Sequence, residues 1–436
     1  MNVTKKTIAF MILSLGLVSA SLHGDAIPSI LRQRERNAVF DGWLAKRLDT
    51  VLLEIMRREK IDMWIVISRE NNEDPVFLSL VPAGFLASWR TYMLVFYDRG
   101  KEGVERISIS RMGAGDLYKE AWDSAKTDQW TCLAQVVRER KPSRIGIDEG
   151  EVFSYGDGLT ASLKQKLVDA LGPEYASRLC PAEKLAVGWL ERRIPEELEV
   201  YPHLAVMAHR ILEEALSSKV ITPGVTTTLD LAWWLWDRTE ELRLHVWATA
   251  GVSIQRPKNS PFKDSVIRRG DLIHCDYVFS YLHLSTDTKA CAYVLKEGEE
   301  DVPEGLKRAL SAGNRLQDIL IGELKEGLTG NQILAAALKK AKEAGIKGTI
   351  LAHPLGFHGH GAGTNIGRWD NQTGIPGTGD YPLFPETCHA IELTATSVVP
   401  EWGNQEVTME LEEDAAFTKQ GTFFLDGRQT SIIVLR

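Results

Sequence analysis

Cysteine is scarce in this chain and badly spaced for a structural role. The five cysteines, Cys132, Cys180, Cys275, Cys291 and Cys388, are scattered through 436 residues and form no C-x-x-C pair. That excludes a zinc knuckle and a disulfide-rich scaffold, and leaves buried free thiols as the expectation. Long runs of one charge are also missing. Lys and Arg total 51 against 59 Asp and Glu, a net charge of −8. Without a basic stripe, nucleic-acid binding is excluded. After the first twenty residues no apolar run is long enough to span a bilayer, so stable membrane insertion is not expected. No repeat of short period stands out. Hydrophobic residues at 44% and charged residues at 25% are ordinary globular values, which excludes a disordered chain or a coiled coil. The length exceeds what one core usually serves, so two domains are expected.

The beginning of the chain has its own pattern. Lys5 and Lys6 precede the apolar run Thr7 to Ala20, which ends in Val18-Ser19-Ala20. A charged start, a short apolar stretch and a small-residue exit describe a secretory signal peptide over residues 1–20, with Ala26 as a second cleavage site. The protein is therefore expected to be secreted or periplasmic. No Cys follows the run, which argues against a lipid anchor.

Residues 28–185 alternate helical and strand-like patterns and are expected to form an α/β domain. Leu44 to Glu59 has apolar residues at helical spacing, and Ile61 to Ile67 forms a buried strand. Tyr92–Tyr97, Arg106–Ser110 and Arg144–Asp148 are further strands, with a turn at Asp98-Arg99-Gly100. Residues 190–436 open with a helix from about Pro195 to Ser218. A Trp-rich helix follows, capped by Thr227 and Asp230, whose Trp233, Trp234 and Trp236 suit core or interface packing. Helices near Gly305–Lys325 and Asn331–Ala344 flank strand- and glycine-rich sequence, so this half is expected to be an α+β domain.

Chemistry concentrates in the second half. Gly270-Asp271-Leu272-Ile273-His274-Cys275-Asp276 is a turn feeding an apolar strand that carries a carboxylate, and Asp287 follows eleven residues later. A carboxylate in an apolar strand is costly unless it is compensated. Two of them on adjacent strands repel, and a cation between them is the simplest solution. His353, His358 and His360 fall within eight residues in a glycine-rich setting, which packing explains poorly. His358 is the substrate-binding candidate of the three. Glu392 stands inside the apolar run Ala390-Ile391-Glu392-Leu393. In Val407 to Asp414, Glu410 and Glu412 share the face opposite Val407, Met409 and Leu411, so either could be a ligand. A carboxylate-rich set with one imidazole suits two divalent cations, Mn²⁺ first, with Zn²⁺, Co²⁺ or Fe²⁺ as alternatives.

In this order and spacing the residues resemble the pita-bread metallopeptidases, in the branch of aminopeptidase P, prolidase and their creatinase-like relatives. Asp276 and Asp287 with Thr288-Lys289, His353 with His360 seven residues later, and Leu411-Glu412-Glu413-Asp414 carry the likeness. The resemblance implies a creatinase-like amino-terminal domain and a pita-bread catalytic domain. It implies a dinuclear metal centre on Asp276, Asp287, His353, Glu392 and Glu412, with a metal-bound hydroxide as nucleophile. It selects Glu412 over Glu410, makes Glu392 the base, and makes His360 the histidine that contacts substrate. A homodimer is implied too, with the Trp-rich helix as a candidate surface. Two positions depart from the branch pattern: Asn259 and Thr349 stand where it has histidines. Both surround the substrate pocket, so the metal site carries the resemblance and prolyl specificity does not. The expected activity is hydrolysis of a peptide bond near a free amino terminus. The alternatives are hydrolysis of a small non-peptide C–N bond, as in creatinase-like relatives, and a non-catalytic binding protein.

Overall fold

A computed structural model describes residues 27–436, so the expected signal peptide lies outside the described residues. The amino-terminal part is a mixed six-stranded sheet. Its order is Lys119–Glu120, Val104–Ile109, Thr91–Asp98, Met63–Arg69, Ile145–Ile147, Leu179–Pro181. The central strand Met63–Arg69 is buried at every position but the last, and apolar from Met63 to Ile67, because both faces are covered. Met63, Ile65 and Ile67 pack with Leu133, Val137, Leu163 and Leu167 from helices Gln129–Arg140 and Ala161–Ala176. Trp64 and Val66 point the other way, into a cluster that holds Leu44, Leu48, Leu52 and Ile55. That cluster continues through Trp189, Tyr201 and Leu204 to Tyr277 and Phe279, so one core runs through both parts of the chain.

The expected single helix from Leu44 to Glu59 is two helices, Gln33–Asp49 and Val51–Arg58. Thr50 interrupts them: its φ of −117° departs from helical geometry while its hydroxyl donates to Lys46 O.

The rest of the chain repeats one element order: two helices, then strands. Helices Pro195–Ala215 and Thr228–Glu241 precede strands Gly251–Gln255, Leu272–Tyr281 and Leu284–Val294. Helices Glu304–Glu323 and Gly330–Glu343 precede Lys347–Ile350 and His353–Leu355, and then Thr387–Ala390, Leu393–Val399, Gln405–Leu411 and Asp414–Thr418. In the second set three chain segments change sheets at the same level. Lys347–Ile350, Leu393–Val399 and Gln405–Leu411 form one antiparallel sheet; His353–Leu355, Thr387–Ala390 and Asp414–Thr418 belong to another. The crossovers fall at 351–352, at Ile391-Glu392 and at Glu412-Glu413. Main-chain bonds Leu351 N to Glu392 O (3.0 Å) and Ile391 N to Glu413 O (2.9 Å) hold the three together. Among the described residues no helix is long and apolar enough to cross a membrane.

Candidate metal centre

The crossover level is where the acidic residues meet. Leu272–Tyr281 and Leu284–Val294 pair antiparallel, with Asp276 opposite Lys289 and Val278 opposite Asp287. Because Asp287 and Lys289 are two apart on one strand, both side chains share a face with Asp276. Strand Leu284–Val294 is then tied to the crossover, with Lys289 N donating to Glu412 O at 3.0 Å. The Asp287 N–H donates to the buried carboxylate of Asp414 at 3.0 Å.

Asp276, Asp287, His353, Glu392 and Glu412 converge. Three overlapping triads bring their ligand atoms within 4.8 Å of one another: Asp276–Asp287–Glu412, His353–Glu392–Glu412 and Asp287–His353–His360. His353 Nε2 lies 3.5 Å from Asp287 Oδ2 and 3.4 Å from Glu412 Oε1. Glu410 faces Thr394 within its sheet and joins none of these groups. Its neighbour Glu412, after the strand has left that sheet, is fully enclosed.

Sequence reasoning did not single out Lys289 as a functional residue. Its Nζ sits among three of the carboxylates, 3.2 Å from Asp276 Oδ2, 2.5 Å from Glu392 Oε1 and 2.5 Å from Glu412 Oε2. The signal was available in its spacing, since a residue two positions after Asp287 must face the same way. Burial opposes the Lys289 charge, but Glu412, Asp276 and Glu392 override it and hold the ammonium protonated well above the usual range. Burial likewise works to raise Glu412, yet Lys289 and His353 hold that carboxyl at about 2. Glu392 is pushed up to about 7 by burial and the Glu412 charge. Asp287 rises well above the carboxylate range for the same two reasons, and Asp276 rises with it.

The three histidines separate by role. The His360 ring stands 4.7 Å from that of His353, edge to face, and opens to the cleft. Burial and the nearby His353 lower it, so it is neutral at pH 7. His358 stacks on Tyr155 at 4.6 Å, and burial with Arg193 lowers it to about 4. Trp247 packs edge-on to His360 at 5.3 Å and needs the glycine beside it: a Cβ at Gly359 would lie 2.0 Å from Trp247 Cε2.

Two cavities flank His360. One, of about 560 Å³, contains His353, Glu392, Arg368, Trp369 and Phe153. The other, of about 600 Å³, contains Trp247, His245, Phe357, His358 and Tyr281. Tyr155, from the amino-terminal part, lines both and donates its hydroxyl to the His360 carbonyl. The cleft is thus built by both parts of the chain.

Residues 203–419 match metallopeptidase family M24. No curated protein matches the chain by sequence. Among solved structures, the X-Pro aminopeptidase of Thermotoga maritima MSB8 is 17% identical with a TM-score of 0.62, covering 87% of this chain and 99% of that one. The Xaa-Pro dipeptidase of Bacillus anthracis is also 17% identical, with a TM-score of 0.59 over 90% of this chain and all (100%) of that one. A dipeptidase of Pyrococcus horikoshii OT3 is 16% identical, with a TM-score of 0.60 over 90% and 100%. The fold is therefore the two-domain pita-bread architecture, with a creatinase-like α/β domain in front.

Proposed function

The chain belongs to metallopeptidase family M24, and from that premise we propose a divalent-metal-dependent exopeptidase of the aminopeptidase P or prolidase kind, acting at the amino-terminal end of short peptides. One observation carries the reading. His353 Nε2 and Glu412 Oε1 are buried, face each other and have no hydrogen-bond partner. Orphaned polar atoms of this kind are costly unless a ligand satisfies them, and an imidazole nitrogen with carboxylate oxygens fits a divalent cation. Asp276, Asp287, His353, Glu392 and Glu412 are the residues that would hold it, with Mn²⁺ favoured by the excess of carboxylate and Zn²⁺, Co²⁺ or Fe²⁺ as alternatives. When bound, such cations supply an activated water nucleophile and polarise the scissile carbonyl.

The chain's own residues do the rest. Glu392, held near neutrality, takes the proton of the attacking water and returns it to the leaving amine. Neutral His360, open to the cleft, donates a hydrogen bond to the developing oxyanion. Tyr155 lines both cavities beside His360, and Trp247 lines one of them. Donors stand on both sides of Glu412, as two ions would require, and one of the two sides already holds the Lys289 ammonium. The charged start at Lys5 and Lys6 and the apolar run Thr7 to Ala20 support a signal peptide, and with it a reaction in the periplasm or outside the cell.

The test is a panel of di- to pentapeptides, with and without proline at the second position, assayed with added Mn²⁺ and after chelation. Cleavage one or two residues from the amino terminus, lost on chelation and restored by metal, is expected. Glu392→Gln should lower kcat by about 10²–10⁴-fold. Cleavage of no peptide, or cleavage indifferent to chelator, overturns the reading. In the first case a small non-peptide C–N bond becomes the target.

A further inference from the structure

We propose that Lys289 is a built-in substitute for one of the two cations, so that the centre takes a single divalent ion, on the side of Glu412 formed by Asp287 and His353. The proposal rests on the metal-dependent reading of the site and narrows it.

Lys289 is placed by backbone, not by chance packing. Its residue is the cross-strand partner of Asp276, and its N–H is bonded to the Glu412 carbonyl at 3.0 Å. Strand alternation then aims the side chain at the carboxylates. Only 8% of that side chain is exposed, which leaves the ammonium little access to water.

The close contacts fall at two positions, although Glu392 also groups with His353, and Asp276 with Asp287, within 4.8 Å. Glu412 Oε2, Glu392 Oε1 and Asp276 Oδ2 surround Nζ at 2.5, 2.5 and 3.2 Å. Glu412 Oε1 turns the other way, toward His353 Nε2 at 3.4 Å, and His353 Nε2 is in turn 3.5 Å from Asp287 Oδ2. His353 Nε2 and Glu412 Oε1 are among the buried atoms without a partner, whereas the contacted oxygens on the lysine side are not. His360 completes a triad with Asp287 and His353 on the open side. An ammonium and a divalent ion cannot use the same lone pairs.

Metal content after equilibrium dialysis against Mn²⁺, and separately Zn²⁺, tests this. One ion per chain is expected for the wild type, two for Lys289→Ser, and none for His353→Ala. Two ions in the wild type, or still one in Lys289→Ser, overturns the proposal while leaving metal dependence intact. No ion in the wild type overturns both. If Lys289→Ser does not fold, anomalous diffraction from Mn²⁺-soaked wild-type crystals decides. A single peak beside His353 and Asp287, with Nζ still on Glu392, is expected; a peak between Asp276 and Glu392 overturns the proposal.

Discussion

At Glu412 one carboxylate divides its two oxygens between a lysine and a histidine, and burial makes both contacts count. A different buried acid answers to pH. Asp74 in the amino-terminal part is enclosed, accepts from Val76 N at 3.0 Å, and is pushed up to about 7 by burial. In the unfolded chain an Asp titrates at about 4. Between those values the folded protein holds a proton that the unfolded chain has released, so stability falls as pH rises from about 4 to 7 and stays lower above. Asp74→Asn keeps the oxygen facing Val76 and removes the titration. Denaturant melts at pH 5 and pH 7.5 should show the wild type losing on the order of a few kcal/mol more than the variant across that interval. Equal pH slopes would place the proton elsewhere. Asp148, also buried and raised, is the first alternative.

At the scale of elements, the site exists because three segments change sheets together, and this explains what the sequence could reveal. Asp276 and Glu392 were legible as carboxylates in apolar strands. Glu410 and Glu412 were not separable by alternation, because both point to the same side of one strand. What separates them is that the strand abandons its first partner after Leu411 and pairs anew from Asp414, a nonlocal event. Lys289 entered only as part of the segment that carries the likeness, with no role of its own, because a lysine is not a metal ligand and its meaning depends on the cross-strand register with Asp276. The Trp-rich helix was legible in its cap, where Thr227 Oγ1 accepts from Asp230 N at 3.1 Å, but not fully in its packing. Trp234 lies against the core while Trp233 and Trp236 stack on each other at the surface. The segment His353–His360 carries a sharper expectation. Gly359→Ala drives a methyl group into Trp247 and forces the indole away from His360. Such displacement should lower kcat/KM by about 10- to 100-fold, with stability falling by about 1–3 kcal/mol from the overlap. Full activity would show that Trp247 does not set the position of His360.

At the scale of the whole molecule, the two parts share a core and a buried ion pair. Arg47, on helix Gln33–Asp49, places Nη1 2.9 Å from Glu197 Oε2 at the start of helix Pro195–Ala215, and both side chains are almost entirely enclosed. The guanidinium also lies over the Trp189 ring at 4.5 Å and donates to the Arg192 carbonyl at 2.5 Å. Burial lowers Arg47 only to about 10, so it stays charged at pH 7. Removing it leaves Glu197 with the Ile194 N–H at 2.8 Å and, as charged partner, Arg193, whose Nη1 is 3.6 Å away, a longer contact than the one lost. Breaking a buried pair from one side typically costs 3–5 kcal/mol. The remaining Arg193 puts Arg47→Ala at the lower end, about 3 kcal/mol. Adding Glu197→Gln should cost much less in that background than in the wild type, because the charge it removes has already lost its main partner. Since apolar packing runs unbroken from Leu44 through Trp189 and Tyr201 to Phe279, the loss should move one cooperative transition that includes both parts. Calorimetry of the wild type, the two single variants and the double variant measures this. A separate early transition for the amino-terminal part, moved alone by Arg47→Ala, would show that the shared core does not couple the two.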